Sequence, residues 1–248
     1  MKKLRTLLTG FILIYSLVLN GNLFSQPLKE KLDNLLQEYN KNELFNGTAL
    51  IADSTGIVLE KGYGMADFSS NIENNPQTQF RIGSLTKQFV ATVILQLSNE
   101  GKLSLDDKIS KYLPEYRKDI GDKVTIHQLL NHTSGIKSYT NIPNWWKDSS
   151  KVKFSKKHLI TISHASELEF EPGSNYNYNN TGYYLLGIIA ERAAGVPYEL
   201  LLRQRIFDPA EMNSTGIERE ENPPPNLAQG YMRKGVNFVE DDFFYMPK

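Results

Sequence analysis

The chain has 248 residues, enough for one sizeable domain or two lobes of one. Its 28 lysines and arginines balance 28 aspartates and glutamates, so it carries no net field to draw it to nucleic acid or an anionic membrane. It has no cysteine, which excludes disulfides, thiolate metal sites, a cysteine nucleophile and a lipid-anchoring cysteine, and its 40% hydrophobic content fits a globular chain.

The chain opens on a basic start of Lys2, Lys3 and Arg5, an apolar run from Leu7 to Leu19, and a small polar exit at Ser25-Gln26. These are the three parts of a secretory signal. The run is shorter than the about 20 apolar residues of a membrane span. Residues 1–25 are therefore expected to direct export to the periplasm or beyond, with an uncleaved anchor as the alternative. Nothing later in the chain is apolar enough to span a bilayer.

Pro27 to Glu43 predicts an amphipathic helix, with Leu28, Leu32, Leu35, Leu36 and Tyr39 at helical spacing. Gly47–Ala52 and Gly56–Lys61 predict a hairpin around Ser54-Thr55, ended by Gly62 and Gly64, and Asn71 to Gln79 predicts a loop. Ile82-Gly83-Ser84 leads into a second helix with Phe89, Val93, Leu95 and Leu97 as its apolar face and Glu100-Gly101 as its end. Lys102 to Leu113 predicts a helical connector stopped by Pro114, and Val124 to Asn131 a short helix before a turn at Thr133-Ser134-Gly135. Thr140 to Lys157, with Trp145-Trp146, predicts irregular chain. Gly182 to Ala194, closed by Gly195, and Tyr198 to Phe207 predict two more helices. Past Glu218 and the stiff Pro223-Pro224-Pro225 break, no complete element is expected up to Lys248. Two strands alone make a poor free-standing sheet, so the hairpin is expected to need partners.

Ser84-Leu85-Thr86-Lys87 places a hydroxyl and an amine nearly one helical turn apart, on one face of a helix start. Free backbone N–H groups and partial positive charge there favour a developing oxyanion and disfavour an ammonium. An uncharged amine in reach of a hydroxyl can take its proton, the serine–lysine variant of nucleophile activation. The competing reading is a capping serine beside an exposed lysine. The semi-apolar approach Phe80 to Gly83 and the apolar helix behind Lys87 point instead to a pair delivered into a core. A second element is Tyr178-Asn179-Asn180, after the Glu171-Pro172-Gly173 turn. A phenol can shuttle a proton to a lysine, and an asparagine amide can hold the lysine and orient a substrate. Tyr176, Tyr178, Tyr183 and Tyr184 crowd together, and spacing alone does not choose Tyr178 over Tyr176. His127 and His132 have no third ligand nearby, so a structural role is expected and no metal or cofactor is implied. Trp145-Trp146 is open to reading as a substrate wall or as packing.

Together these residues resemble the serine β-lactamase and penicillin-binding enzyme superfamily, in its class C β-lactamase-related branch of D-alanyl-D-alanine carboxypeptidases, D-aminopeptidases and esterases. The likeness covers Phe45 to about Gly230. It rests on Phe80 to Lys87, Gly101 to Asp107, Leu129 to Ile136, and Pro172-Gly173 through Tyr178-Asn179-Asn180 to Gly187. The resemblance implies an α/β chain of the α+β type: an antiparallel sheet flanked by helices plus a mostly helical lobe. It assigns 44–100 to an α/β part carrying the nucleophile helix and 101–230 to the helical lobe, within a domain of 26–248. It also implies roles. Ser84 attacks a carbonyl to form an acyl-enzyme, Lys87 and Tyr178 share the proton transfers, Asn180 orients the substrate, and the His132 turn holds the helical lobe against the site. The implied partner is a small-molecule or peptide substrate, namely a β-lactam, a D-amino-acid peptide or an ester.

One family feature is missing. The Lys/His-x-Gly motif, on a cleft strand that supplies one oxyanion-hole N–H, does not follow Gly230. An oxyanion donor of this kind is worth about 3–4 kcal/mol. The sequence is therefore expected to be a piece lacking its C-terminal strands, and inactive or poorly folded unless another chain completes it. A non-catalytic binding or relic protein of the same fold is the alternative function; a metal hydrolase has too few ligands.

Overall fold

A computed structural model of the protein describes residues 27–145, 155–163, 166–218, 222–235 and 237–240. The expected signal segment and Trp146 lie outside them. The described chain forms two compact units, one of residues up to Phe80 with Pro225–Glu240, the other Arg81–Pro224. No helix among the described residues is long and apolar enough to cross a membrane.

The first unit starts with helix α1, Leu28–Lys41, none of whose residues is buried. It is tied to the following hairpin by charge. Lys61 Nζ donates to both oxygens of Asp33 at 2.8 and 2.9 Å, and the Tyr63 hydroxyl donates at 2.9 Å. Strands β1, Gly47–Asp53, and β2, Gly56–Tyr63, pair antiparallel from Gly47↔Tyr63 to Asp53↔Gly56, with a bulge at Ile51/Ala52. The predicted hairpin is there, its turn pinned by Asp53, which accepts from the Thr55 N–H at 2.7 Å and its hydroxyl at 2.6 Å. Two further ribbons were not expected. Strands β3, Met65–Asp67, and β4, Ile72–Glu73, are too short to show alternation. Strands β5, Tyr231–Lys234, and β6, Asn237–Glu240, occupy the tail read as featureless. Distant contacts hold that tail: Phe68 packs edge-on to Tyr231 at 5.0 Å and stacks on Phe238 at 4.7 Å, while the Tyr231 hydroxyl donates to Asp67 at 2.7 Å. Each sheet among the described residues has two strands.

In the second unit, a 3₁₀ turn at Gly83–Leu85 runs into helix α2, Thr86–Asn99. Its buried face is Val90, Val93, Ile94 and Leu97, whereas Leu95 is 51% exposed. The 3.6-residue period puts position 95 across the helix from that stripe, which corrects the predicted face. The predicted helical connector is also corrected. Lys102 to Leu113 is mostly turns, with one 3₁₀ segment at Ile109–Lys111. Asp107 is the cause: it accepts from the Ser104 N–H at 2.8 Å, Lys111 Nζ at 2.7 Å and the Tyr112 hydroxyl at 2.7 Å, offering the backbone an alternative to helix. Helix α3 is Lys118–Gly121, and α4, Ile126–Leu130, starts at a capping box of Thr125 and Gln128. A 3₁₀ turn at Tyr139–Asn141 and helix α5, Lys156–Ser163, follow; most of α5 lies just past the stretch read as irregular.

Helix α6, Asn180–Ala194, is capped by the Asn179 side chain and closed by Gly195 in the left-handed conformation at φ 68°. Helix α7, Tyr198–Leu202, continues as a π-turn through Phe207. The core sits between α2 and α6, where Ile94, Leu97, Leu185, Leu186 and Ile189 are buried. Each such side chain contributes about 1.5–3 kcal/mol. This packing places α2 in the helical unit, whereas the resemblance groups it with the hairpin in 44–100.

Candidate active site

Ser84 lies in the 3₁₀ turn and Lys87 in the first turn of α2. Lys87 Nζ stands 3.3 Å from Ser84 Oγ. No side chain caps the turn or α2, so Ser84 is not simply tying off a helix start. Ser84 is exposed and Lys87 half-buried. The expected delivery of the pair into a core thus holds for the lysine and not for the hydroxyl, which faces outward where a substrate can meet it. The amine is enclosed: it donates to Asn180 Oδ1 at 2.7 Å and lies 4.8 Å from the Tyr178 ring centroid and 5.5 Å from that of Tyr183. A bidentate pair between Arg81 and Glu218, at 2.8 and 2.7 Å, fixes the approach to the turn.

The third group comes from far along the chain. The Tyr178 hydroxyl donates to Ser84 Oγ at 2.7 Å. Of the two tyrosines that spacing left open, Tyr178 therefore meets the hydroxyl, while Tyr176 is 62% exposed. Burial pushes the Tyr178 phenol up, but its hydrogen bonds with Lys87 and Ser84 and the Lys87 charge outweigh this and hold it below its ordinary value.

Backbone pairing aims Tyr178. The turn after α4 binds the strap 169–177 through Glu169 N–H to Gly135 O at 2.7 Å, Gly173 N–H to Thr133 O at 2.8 Å, and Asn177 N–H to His132 O at 3.0 Å. Gly135 is required there. Its φ is 72°, and a Cβ would sit 2.1 Å from the Phe170 carbonyl oxygen. Asn179 then caps α6, accepting from the Gly182 N–H at 2.8 Å, and donates through Nδ2 to the Ile136 carbonyl. Asn180 is held by two hydroxyls: its N–H donates to Ser138 Oγ at 3.2 Å and its Nδ2 to Thr140 Oγ1 at 3.1 Å.

Ser138 and Thr140 belong to this constellation and went unnoticed in the sequence, while Tyr183, named there only within the tyrosine cluster, also faces the Lys87 amine. Lone hydroxyls and one more tyrosine carry no local signal there. His127 is exposed on α4, whereas His132 sits among the tyrosine rings. No group of three acidic or histidine side chains among the described residues is placed to hold a metal. Trp145 is 2% exposed and packs on Tyr139 at 4.8 Å, in a small cluster with Leu159, so it is a packing residue.

A family model described as Beta-lactamase matches residues 32–244. The putative penicillin-binding protein PbpX of Bacillus subtilis (strain 168) is 34% identical over 210 residues, covering 85% of this chain and 50% of the relative. The chain thus spans about half the length of that relative. The solved penicillin-binding protein from Bacillus halodurans superposes with a TM-score of 0.73 at 29% identity, covering 83% of this chain and 63% of that one. The D-amino acid amidase from Ochrobactrum anthropi SV3, solved with L-phenylalanine amide, gives a TM-score of 0.71 at 28% identity, covering 85% and 59%.

Proposed function

Because this chain belongs to the beta-lactamase family, we propose that it is an exported serine hydrolase that forms an acyl-enzyme on Ser84 with a β-lactam, a D-amino-acid peptide or an ester. One observation carries the reading. Two proton-carrying groups, the Lys87 amine and the Tyr178 phenol, converge on one exposed hydroxyl from positions 94 residues apart in the case of the tyrosine. The relatives named for penicillin binding and D-amino acid amidase activity support the substrate class.

The chemistry follows from the contacts. The Tyr178 oxygen, ionised beside the charged Lys87 amine, takes the Ser84 Oγ proton as Oγ bonds to the substrate carbonyl carbon. The carbonyl C–N or C–O bond then breaks, and the leaving nitrogen or oxygen takes a proton from the Tyr178 hydroxyl. Water, deprotonated by the same pair, releases the acyl group and restores Ser84. Asn180 holds the amine through its Oδ1, and its Nδ2 is anchored on Thr140 Oγ1. The Arg81–Glu218 pair holds the approach to the Ser84 turn throughout.

A fluorescent penicillin and a fluorescent fluorophosphonate test the proposal by in-gel labelling. The full-length protein labels with at least one probe and its Ser84→Ala variant with neither. Equal labelling of both proteins, or none of the full-length protein, overturns it; the second outcome fits a binding protein of the same fold.

A further inference from the structure

We propose that His132 is a positioning residue which, in its neutral form, clamps Tyr178 against Ser84, and that its protonation releases the phenol and stops acylation at acid pH. The proposal rests on the serine-hydrolase reading above.

The clamp has three points. The His132 carbonyl accepts from the Asn177 N–H at 3.0 Å, on one side of Tyr178. Its Nδ1 accepts from the Asn179 N–H at 3.0 Å, on the other side. Its ring lies against the Tyr178 ring at 4.7 Å, with Tyr183 behind at 5.1 Å and Tyr176 edge-on at 5.9 Å. His132 adopts φ 62°, a strained conformation for a residue with a Cβ, and that conformation lets carbonyl and ring address the same three residues.

An Nδ1 that accepts a hydrogen bond bears no proton, so the neutral ring carries its hydrogen on Nε2. Protonation at Nδ1 sets two N–H groups against each other and breaks the bond. The Asn179 amide links Tyr178 to Asn180, so its release loosens the phenol and the amine's partner together. The charged group facing the imidazole is the Lys87 amine on α2; the other titratable groups facing it are the phenols of Tyr176 and Tyr178 on the strap and Tyr183 on α6. Burial first, and the Lys87 charge second, hold the imidazole below its ordinary 6.5. The neutral clamp is therefore intact at pH 7 and lost as pH falls through that lowered value.

The test is the rate of fluorophosphonate acylation of the full chain from about pH 4.5 to 8, beside an NMR titration of His132. The wild-type rate falls at least about tenfold toward acid, with a midpoint equal to that of the His132 ring. The Asn179 amide and Tyr178 ring resonances shift with the same midpoint. His132→Asn keeps an acceptor near the Nδ1 position and tolerates positive φ but does not titrate, so its acid limb flattens. An unchanged limb in His132→Asn, or a His132 titration that leaves the Asn179 and Tyr178 resonances still, overturns the clamp. A wild-type protein that no probe acylates at any pH defeats the hydrolase reading instead, and the NMR titration still decides whether the clamp exists.

Discussion

Two groups, the Lys87 amine and the Tyr178 phenol, meet at the Ser84 oxygen, and each can be removed separately. Tyr178→Phe deletes the phenol that donates to Ser84 Oγ at 2.7 Å while keeping the ring against Lys87. Acylation slows about 100-fold or more, the scale of a lost general acid–base group, with little change in KM, as stopped-flow labelling would record. The phenol's lowered pKa gives a second readout. A wild-type minus Tyr178→Phe ultraviolet difference titration shows a phenolate forming before the ordinary tyrosine range, because the lowered group loses its proton as pH rises ahead of the others. A difference curve in the ordinary range would count against the Lys87 contact. The residues differ in how readable they were. Ser84 and Lys87 are near neighbours in sequence and share a helix face by geometry alone. Tyr178 required the resemblance, since Tyr176 has the same chemistry two residues earlier. Ser138 and Thr140 were invisible, because only the folded turn brings their hydroxyls to Asn180.

Among the elements, the helices with strong periodicity or clear end signals were legible: α2, α4 and α6 all lie where the pattern puts them. The misses share a cause. Local side-chain bonds at Asp107 overrode a helical pattern, and the short ribbons β3–β4 and β5–β6 depend on partners distant in sequence. Asp107→Asn is expected to destabilise the protein by about 1–2 kcal/mol in urea unfolding at neutral pH, through lost charge-assisted hydrogen bonds. Burial raises the Asp107 carboxyl, but Lys111, the Ser104 N–H and Tyr112 together bring it down from 3.8 to about 2. Its folded value is depressed, so this stability is fully present above 3.8 and fades as pH falls toward 2; the difference between the two proteins vanishes over that window. Gly135→Ala, which sets a methyl against the Phe170 carbonyl at positive φ, is expected to cost more than about 2 kcal/mol and to slow acylation by disordering the strap that carries Tyr178.

At the scale of the whole chain, the mixed helix-and-sheet class was legible from the order helix, hairpin, helices, but the distribution of the core was not. The second unit holds nearly all the buried hydrophobic residues, and the first holds Leu59, Tyr63 and Ala66. Helix α1 buries none of its apolar stripe, and Leu28, Leu35, Leu50 and Ile57 are all more than half exposed. Amide hydrogen exchange is therefore expected to be slowest in α2 and α6 and much faster in α1, β1 and β2, since local opening follows local burial. Uniform protection across both units would contradict that division. The most direct test of the account as a whole is intact-protein mass spectrometry after incubation with a penicillin, followed by peptide mapping. The account predicts a single acyl adduct on the peptide containing Ser84, absent in Ser84→Ala; an adduct on any other residue, or none on the wild-type protein, would contradict it.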